Sequence, residues 1–476
     1  MTLVAALALA SCSGLPKGAG GGGGGGGNGN TFLNFTVTST PSTTFSFPSL
    51  IWPIGNISLV SGAGTVVPLG GSSGVVYPDF VRMQTDSLYL GHATVPATSY
   101  TQLQVQFSAP LFGYFYNGST STFLGCAAGL VCVIPSTVTG YGASTSVITV
   151  PITLTTAANA NAGIRINFDL SKAVTTTNSM TFDFTQTGAI TLVTLPTTSS
   201  QTTGIDTIDN FTGVVTGVSG STVTVSSFSS QARTFTVAST AEFDDPFAVT
   251  TNCTQPPTDA CLAVGQNISL DGVLNADGTM TANEIDFLDP APAVNELEGV
   301  IISPLSNNQF KIALTNGMGS NALIVGTPVL VNVGNATNNY FVDPKDLLGV
   351  SFNSTLGFQS QTDLVLGQTV MVQGGTFSGT NTSITSPTRI LLRYSSIGGT
   401  VETPGSPNFT LGGISPFLVN LIGNSAQVST FTNTAYDNIS NISGLVTGTN
   451  ASVRGLYLNP TSGAQYAVLA AKVRAQ

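Results

Sequence analysis

The chain has 476 residues, 12 Lys and Arg against 22 Asp and Glu, and only 7% charged residues, where soluble domains ordinarily carry about 25%. No apolar run reaches the ~18 residues of a membrane span, which excludes a polytopic membrane protein, and 41% hydrophobic residues exclude a disordered chain. A single histidine rules out chemistry that needs two imidazoles.

Residues 1–12 run from an apolar stretch, Leu3 to Ala10, into Leu9-Ala10-Ser11-Cys12. This resembles a bacterial lipoprotein signal, and the resemblance implies that Cys12 becomes the acylated amino terminus and the lipid attachment point. Lys17 is the first basic residue, so the basic patch that opens such signals is absent here. Eight apolar residues are too few for ~30 Å of hydrocarbon, so a retained transmembrane helix is not expected. Residues 13–30 include the unbroken glycine run Gly20 to Gly27 and read as a flexible tether with a root-mean-square span of about 23 Å. One fatty chain anchors weakly; the resemblance implies triacylation. Ser13 after the cysteine is compatible with export to the outer membrane.

Beyond Cys12, four cysteines form two local pairs, Cys126 with Cys132 and Cys253 with Cys261. An even count outside the cytoplasm reads as disulfides. Zinc is the competitor, but neither pair has the C-x-x-C spacing and only His92 could assist.

Residues 31–196 show short alternating runs: Leu103, Val105, Phe107; Ile148, Val150, Ile152, Leu154; Ile164, Ile166, Phe168, Leu170. Period two in a Thr- and Val-rich setting predicts half-buried strands, and the segment reads as one β-sandwich-like domain. Helical periodicity is scarce; Asp343 to Leu348 could form one turn. Leu195-Pro196, followed by a polar stretch to Gly204, marks a linker.

The rest repeats. Leu262-x-x-Gly265-x-x-Ile268-x-Leu270-x-Gly272 recurs as Leu364-x-x-Gly367-x-x-Val370-x-Val372-x-Gly374 and as Leu445-x-x-Gly448-x-x-Ala451-x-Val453-x-Gly455. The openers are Phe211-Thr-Gly213-Val-Val215, Leu297-Glu-Gly299-Val-Ile301 and Ile397-Gly-Gly399-Thr-Val401. The pattern describes a strand with one apolar face bounded by glycines where it must bend, as a small closed barrel requires. The expected fold is therefore all-β, the sandwich-like domain followed by three small OB-like β-barrel repeats at 205–290, 297–395 and 396–476. Gly265 to Gly272, followed by Asp277-Gly278-Thr279, resembles the small barrels called domain of unknown function 5666, common in exported bacterial proteins. Val95-Pro-Ala-Thr-Ser-Tyr100-Thr-Gln-Leu103 and Ile166-Asn-Phe168-Asp169-Leu-Ser-Lys172 are similar to domain of unknown function 4382, a β-rich module of bacterial lipoproteins. That family tends to show Asp-Ala-Pro near its start, where this chain has Ser39-Thr40-Pro41. Neither resemblance brings a catalytic residue.

Charge is segregated. Residues 1–204 carry four acids and four bases, residues 205–298 carry thirteen acids against Arg233 alone, and residues 299–476 carry five acids and seven bases. So acidic a first repeat would repel a phosphate backbone, which excludes nucleic acid as a partner. It reads as a solubility device or as an attractor of a cation or basic partner.

Candidate chemistry is thin. Gly70-Gly-Ser72-Ser-Gly74 fits the G-x-S-x-G pattern but lies in a β setting, not a strand–turn–helix, and reads as a surface loop. Asn275, Asp277, Gly278 and Glu284 match positions of a calcium loop, but Val273 replaces its first ligand and no helices flank it; a hairpin turn is the simpler reading. Weak calcium binding through Asp244, Asp245 and their neighbours stays open. Asp244, Asp245, Glu284 and Asp286 could supply the paired carboxylates of glycoside cleavage, but the single tryptophan, Trp52, lies in another domain, so solvated surface acids are the simpler reading. His92 reads as a strand-end residue. The sequons at Asn56, Asn267, Asn438 and Asn441 are chance matches in an Asn-, Ser- and Thr-rich chain.

The sequence thus points to a non-enzymatic, lipid-anchored cell-envelope protein acting as a structural or binding module. Its partner is the outer membrane through the anchor, with a glycan or protein partner open and no cofactor or metal implied. A glycan-binding adhesin is the alternative, and a polysaccharide hydrolase using acids of the first repeat the next.

Overall fold

The computed structural model describes residues 29–42, 44–69, 75–108, 111–140, 146–175, 179–198, 204–226, 232–244, 258–288, 296–306, 308–318, 325–334, 339–343, 358–378, 382–459 and 468–476. Nearly all of their regular structure is strand, as the period-two runs require. Among the described residues no helix is long and apolar enough to cross a membrane.

The amino-terminal part is built of sheets that share one apolar cluster. One has the strand order Ile190–Thr198, Asn161–Asp169, Asn30–Thr40, Leu88–Pro96; another runs Val66–Pro68, Ile54–Ser61, Ser99–Phe107, Ser146–Thr155. A three-stranded sheet of Ser46–Ile51, Phe112–Tyr116 and Val131–Val133 joins them. Leu33, Phe35, Val37, Leu103, Val105, Phe107, Ile164 and Ile166 meet in this core. At its centre the Phe168 ring lies 5.1 Å from Phe80, 5.8 Å from Phe107 and 5.6 Å from Phe184. The alternation expected through Leu170 stops one residue early. Asp169 accepts a hydrogen bond from the Ser171 amide and caps a short helix, Leu170–Ala173, because an aspartate that satisfies a free amide starts a helix more readily than it extends a strand.

Strand Asn30–Thr40 departs from the half-buried pattern. Its apolar residues face the core, but Asn34, Thr36 and Thr38 on the other face are buried as well. Asn34 donates to the Ala276 carbonyl and Thr36 to Asp206, both in the neighbouring repeat. A polar face can be buried this way because each group finds a partner.

The first repeat is a closed barrel of Gly204–Ser219, Thr222–Ser226, Arg233–Asp244, Met280–Phe287 and Asn267–Asn275, in that spatial order. The last is a closed barrel of the same connectivity, from Ser395–Thr403, Asn408–Gly412, Ser425–Asp437, Val468–Ala475 and Asn450–Tyr457. In both, the third and fifth strands run parallel. The middle repeat differs from the expected barrel: its strands form an eight-stranded sheet. Two of the five strands are broken and a short one, Thr376–Phe377, is added at the edge. The third is split into Pro328–Asn332 and Asn339–Val342, and the fifth into Ser383–Thr385 and Arg389–Arg393; the halves still pair in parallel. Pro387, which has no N–H for a ladder, and Ser386 at φ 52° account for the break in the fifth.

One irregularity recurs in all three repeats. Val237 pairs with Ala282 and Glu242 with Glu284; Thr430 pairs with Ala470 and Ala435 with Lys472; Asn332 pairs with Thr385 and Asn339 with Arg389. In each the third strand is three residues longer than its partner over the same stretch, which bends it around the barrel.

The motif glycines serve closure. A Cβ at Gly213, Gly272, Gly299, Gly399 or Gly455 would run into a backbone carbonyl oxygen of the adjacent strand. Gly265, Gly367 and Gly448 instead take φ of 93°, 88° and 91°, which side chains resist. Gly374 breaks the parallel: it follows its strand, which ends at Gln373, whereas Gly272 and Gly455 lie inside theirs.

The repeats are packed onto one another. Leu456, Leu458, Leu469 and Ala471 of the last barrel belong to the core of the middle repeat, and Tyr89 and Leu195 of the amino-terminal part to that of the first. Gly272→Ala is expected to lower unfolding stability by about 1–3 kcal/mol, the range for forcing atoms into a filled space. Gly217→Ala, whose Cβ would meet the Thr224 side chain at an ordinary 3.7 Å, should stay within about 0.5 kcal/mol. Denaturant unfolding of the two variants checks this, and equal effects would refute the closure role.

Candidate functional site

The acids of the first barrel are gathered by strand register. Glu242 and Asp244 on the third strand lie beside Glu284 and Asp286 on the fifth, and Asp271 and Ser269 on the fourth lie on the other side of the same two residues. Successive side chains of a strand point to opposite faces. Phe243, Leu270, Ile285 and Phe287 therefore pack with the barrel core, and the acids emerge together outside. One carboxylate oxygen each from Asp244, Glu284 and Asp286 lies within 4.8 Å of the other two.

This face is solvated only at its edge, where Glu242 is exposed and Asp244 half-buried. Asp286 is fully buried and Glu284 is 9% exposed. Cations from the other units come to meet it. Arg454 of the last barrel reaches Asp271 at 3.0 Å and lies over the Tyr394 ring, 5.6 Å from its centroid. Lys472 reaches Asp209 at 2.5 Å. Arg165 of the amino-terminal part reaches Asp206 at 2.5 Å, and Arg82 reaches Glu298 at 2.7 Å. Arg393 of the middle repeat, 2% exposed, pairs with Asp343 and with Glu298 at 3.4 Å and donates to the Thr212 hydroxyl. Burial alone would lower the pKa of its guanidinium; the charges of Asp343, Glu298 and Asp286 outweigh burial and raise it.

Further out, Asp437 of the last barrel accepts from Arg474 at 2.7 Å and lies 3.9 Å from Arg165. Burial pushes its carboxyl up, but Arg474, Lys472 and Arg165 together hold it below the usual aspartate range.

Chemically, converging carboxylate oxygens suit a hard divalent cation such as calcium, with Asp244, Glu284 and Asp286 as the ligands. They are also close enough for the acid and nucleophile of glycoside cleavage, with Asp244 half-buried and Glu284 and Asp286 buried.

The structure brings Asp244, Glu284 and Asp286 together; Asp245 lies outside the described residues. The segment at Asn275 forms a hairpin turn. Gly278 sits at φ 84°, Asp277 accepts from the Thr279 amide and hydroxyl, and Glu284 belongs to the following strand. His92 lies inside the strand Leu88–Pro96 rather than at its end. Its Nδ1 is 3.0 Å from the Tyr89 hydroxyl and its ring packs on Phe32; burial and then the Arg233 charge lower its pKa. Cys126 and Cys132 form a disulfide. Cys261 is disulfide-bonded; Cys253, its expected partner, lies outside the described residues, as do Cys12 and Ser72. Asn267 is 1% exposed and directed at Glu296, so its sequon is no acceptor.

The sequence reading did not find the cations that face the acids. The signal was present in the charge asymmetry, since the basic partner it suggested is the chain's own remaining units.

Residues 212–286, most of the first barrel, match the family model described as Domain of unknown function (DUF5666). No curated protein matches the chain. Among solved structures it is similar to MbnP from Methylosinus trichosporium, at 12% identity over 30% of this chain and 76% of that one, with a TM-score of 0.16, too low to carry an argument.

Two outcomes are expected from the ion pairs. Arg165→Met leaves the Asp206 side chain, which has no exposure, without its counter-charge and should cost about 3–5 kcal/mol, while the double variant Arg165→Met/Asp206→Leu recovers most of it; a double variant no better than the single would refute the pairing. Asp437, depressed in the folded protein, stabilises above its ordinary value of 3.8, and that contribution is lost as pH falls through the folded value. Asp437→Asn should therefore melt a few degrees lower than the parent at neutral pH, with the gap closing as the pH falls below 3.8 and through the folded value. A gap independent of pH would show that Asp437 acts by packing alone.

Proposed function

We propose that this chain is a non-enzymatic, lipid-anchored module of the bacterial cell envelope. In it the sandwich-like part and the three repeats are joined into one body that presents a binding surface beyond the outer membrane. The observation that carries the reading is the use of charge. Asp206, Asp209, Asp271 and Glu298 of the acidic segment each pair with a cation from another unit. Charged side chains so committed serve assembly rather than turnover, which is what a scaffold or binding module needs.

Two further features support an exported location. The Cys126–Cys132 disulfide belongs to an oxidising compartment. The Leu9-Ala10-Ser11-Cys12 signal, the glycine tether and the resemblance of the amino-terminal part to domain of unknown function 4382 point to a lipoprotein held away from its membrane. The hydrolase reading has its carboxylates within reach of one another, but two of the three, Glu284 and Asp286, are buried.

Palmitate labelling in a bacterial host should mark the full chain and be lost in Cys12→Ala. Incubation with a polysaccharide panel should release no more reducing ends from the parent than from Glu284→Gln. An unmodified Cys12 in the mature protein would overturn the anchor, and sugar release that disappears with Glu284→Gln would establish a hydrolase.

A further inference from the structure

A cleft of about 460 Å³ lies between the amino-terminal part and the last barrel, within the ~300–1,000 Å³ typical of small-ligand sites. One wall is the Thr40–Phe47 connection with the turn at Val81–Gln84; the other is the strand around Gly398, the Gly413–Phe417 loop and Asn450. Among the described residues no Asp, Glu, Lys, Arg or His side chain lines it, whereas several other seams between units carry ion pairs. The nearest cations are turned elsewhere: Arg474 donates to Asp437 and to the Met83 and Gln84 carbonyls, and Arg82 to Glu298.

Its polar groups are carboxamides and hydroxyls held on a rigid frame. Gln84 is 6% exposed and lines the cleft, yet its side chain makes no hydrogen bond among the described residues. Its amide atoms are not shut off from the cleft, so both donor and acceptor remain available to a ligand there. Asn450, on the exposed rim, accepts the Thr400 hydroxyl at 3.0 Å through Oδ1, leaving its NH2 as a donor. Gly413 takes φ 60°, and a Cβ there would meet nothing closer than the Thr400 hydroxyl at 4.0 Å, so bare backbone faces open space. Apolar surface comes from Phe45, stacked on Phe123, and from Phe417, set edge-on to Tyr116.

We propose that this cleft binds a neutral saccharide. Hydroxyl groups donate and accept alike, which matches walls of carboxamides and hydroxyls, and the C–H face of a sugar ring matches Phe45 and Phe417. A carboxylate or ammonium would be desolvated there with no counter-charge. The proposal rests on the binding-module reading and names its ligand class. It does not involve the carboxylates of the first barrel.

Titration of the full chain, with EDTA present, against cellopentaose, maltopentaose, xylopentaose and mannopentaose, with trigalacturonate as the acidic control, tests it by calorimetry and saturation-transfer NMR. At least one neutral probe should bind and trigalacturonate should not. Gln84→Leu and Asn450→Ala should each weaken that probe about tenfold, the effect of one hydrogen bond lost, with melting unchanged. Should Gln84→Leu fail to fold, Asn450→Ala, exposed and outside every core, decides alone. The assignment is overturned if no neutral probe binds, if trigalacturonate binds as well, or if binding survives the variants that fold. Palmitate labelling of Cys12 reads the anchored-module proposal separately, so either can fail without the other.

Discussion

Charge taken out of water is the constraint on which the arrangement of this molecule depends. The acids of the first barrel lie in its seams with the other units, and a buried carboxylate without a counter-charge costs several kcal/mol. Each of the four joined parts supplies something the others lack. The amino-terminal part brings Arg165 to Asp206, and the last barrel brings Arg454 to Asp271 and Lys472 to Asp209; Arg82 reaches Glu298 of the middle repeat, whose own Arg393 donates to Thr212 of the first barrel. Such pairs add little net stability over apolar contact. Their effect is selective, because shifting one unit along its neighbour would strand a buried ion. Apolar packing across the same seams, as of Leu456 and Leu469 on the middle repeat, is less particular about register.

The three repeats show how one topology absorbs different sequences. All keep the parallel pairing of third and fifth strands, and all carry the same three-residue excess on the third. In the first and last barrels a bulge accommodates that excess. In the middle repeat both strands break at this level instead, and the ring becomes a sheet of shorter pieces. The acidic cluster of the first barrel sits just past this bulge, at Glu284 and Asp286, so the irregularity that bends the barrel also sets where its carboxylates converge.

Much of this was legible in the residues. Period-two runs marked strands such as Ser99–Phe107 and Asn161–Asp169, and glycine spacing marked the repeats, because both follow from local geometry. What lay beyond reach depends on neighbours distant in the chain. Asn34 and Thr36 alternate with the core-facing Leu33, Phe35 and Val37, yet they are buried against a barrel that starts some 170 residues later. Lys472 and Arg474 are 3% and 4% exposed, covered by partners from the first barrel and the amino-terminal part. The acids of the first repeat could be suspected of meeting one another, since alternate positions share a face. Their cations could not be assigned, because charge asymmetry gives a sign without an address. The cleft at Gln84 was invisible for the same reason, being made where two separately read segments meet.

The position of the late cations bears on biosynthesis. Asp206 can find Arg165 as soon as the first barrel leaves the ribosome, but Asp209 and Asp271 wait for Lys472 and Arg454, 263 and 183 residues further along the chain. The strand Val468–Ala475 closes the last barrel and delivers Lys472 to Asp209 in one step. A nascent chain lacking that strand leaves Asp209 without its counter-charge, and this seam stays open until the strand is available to lock it.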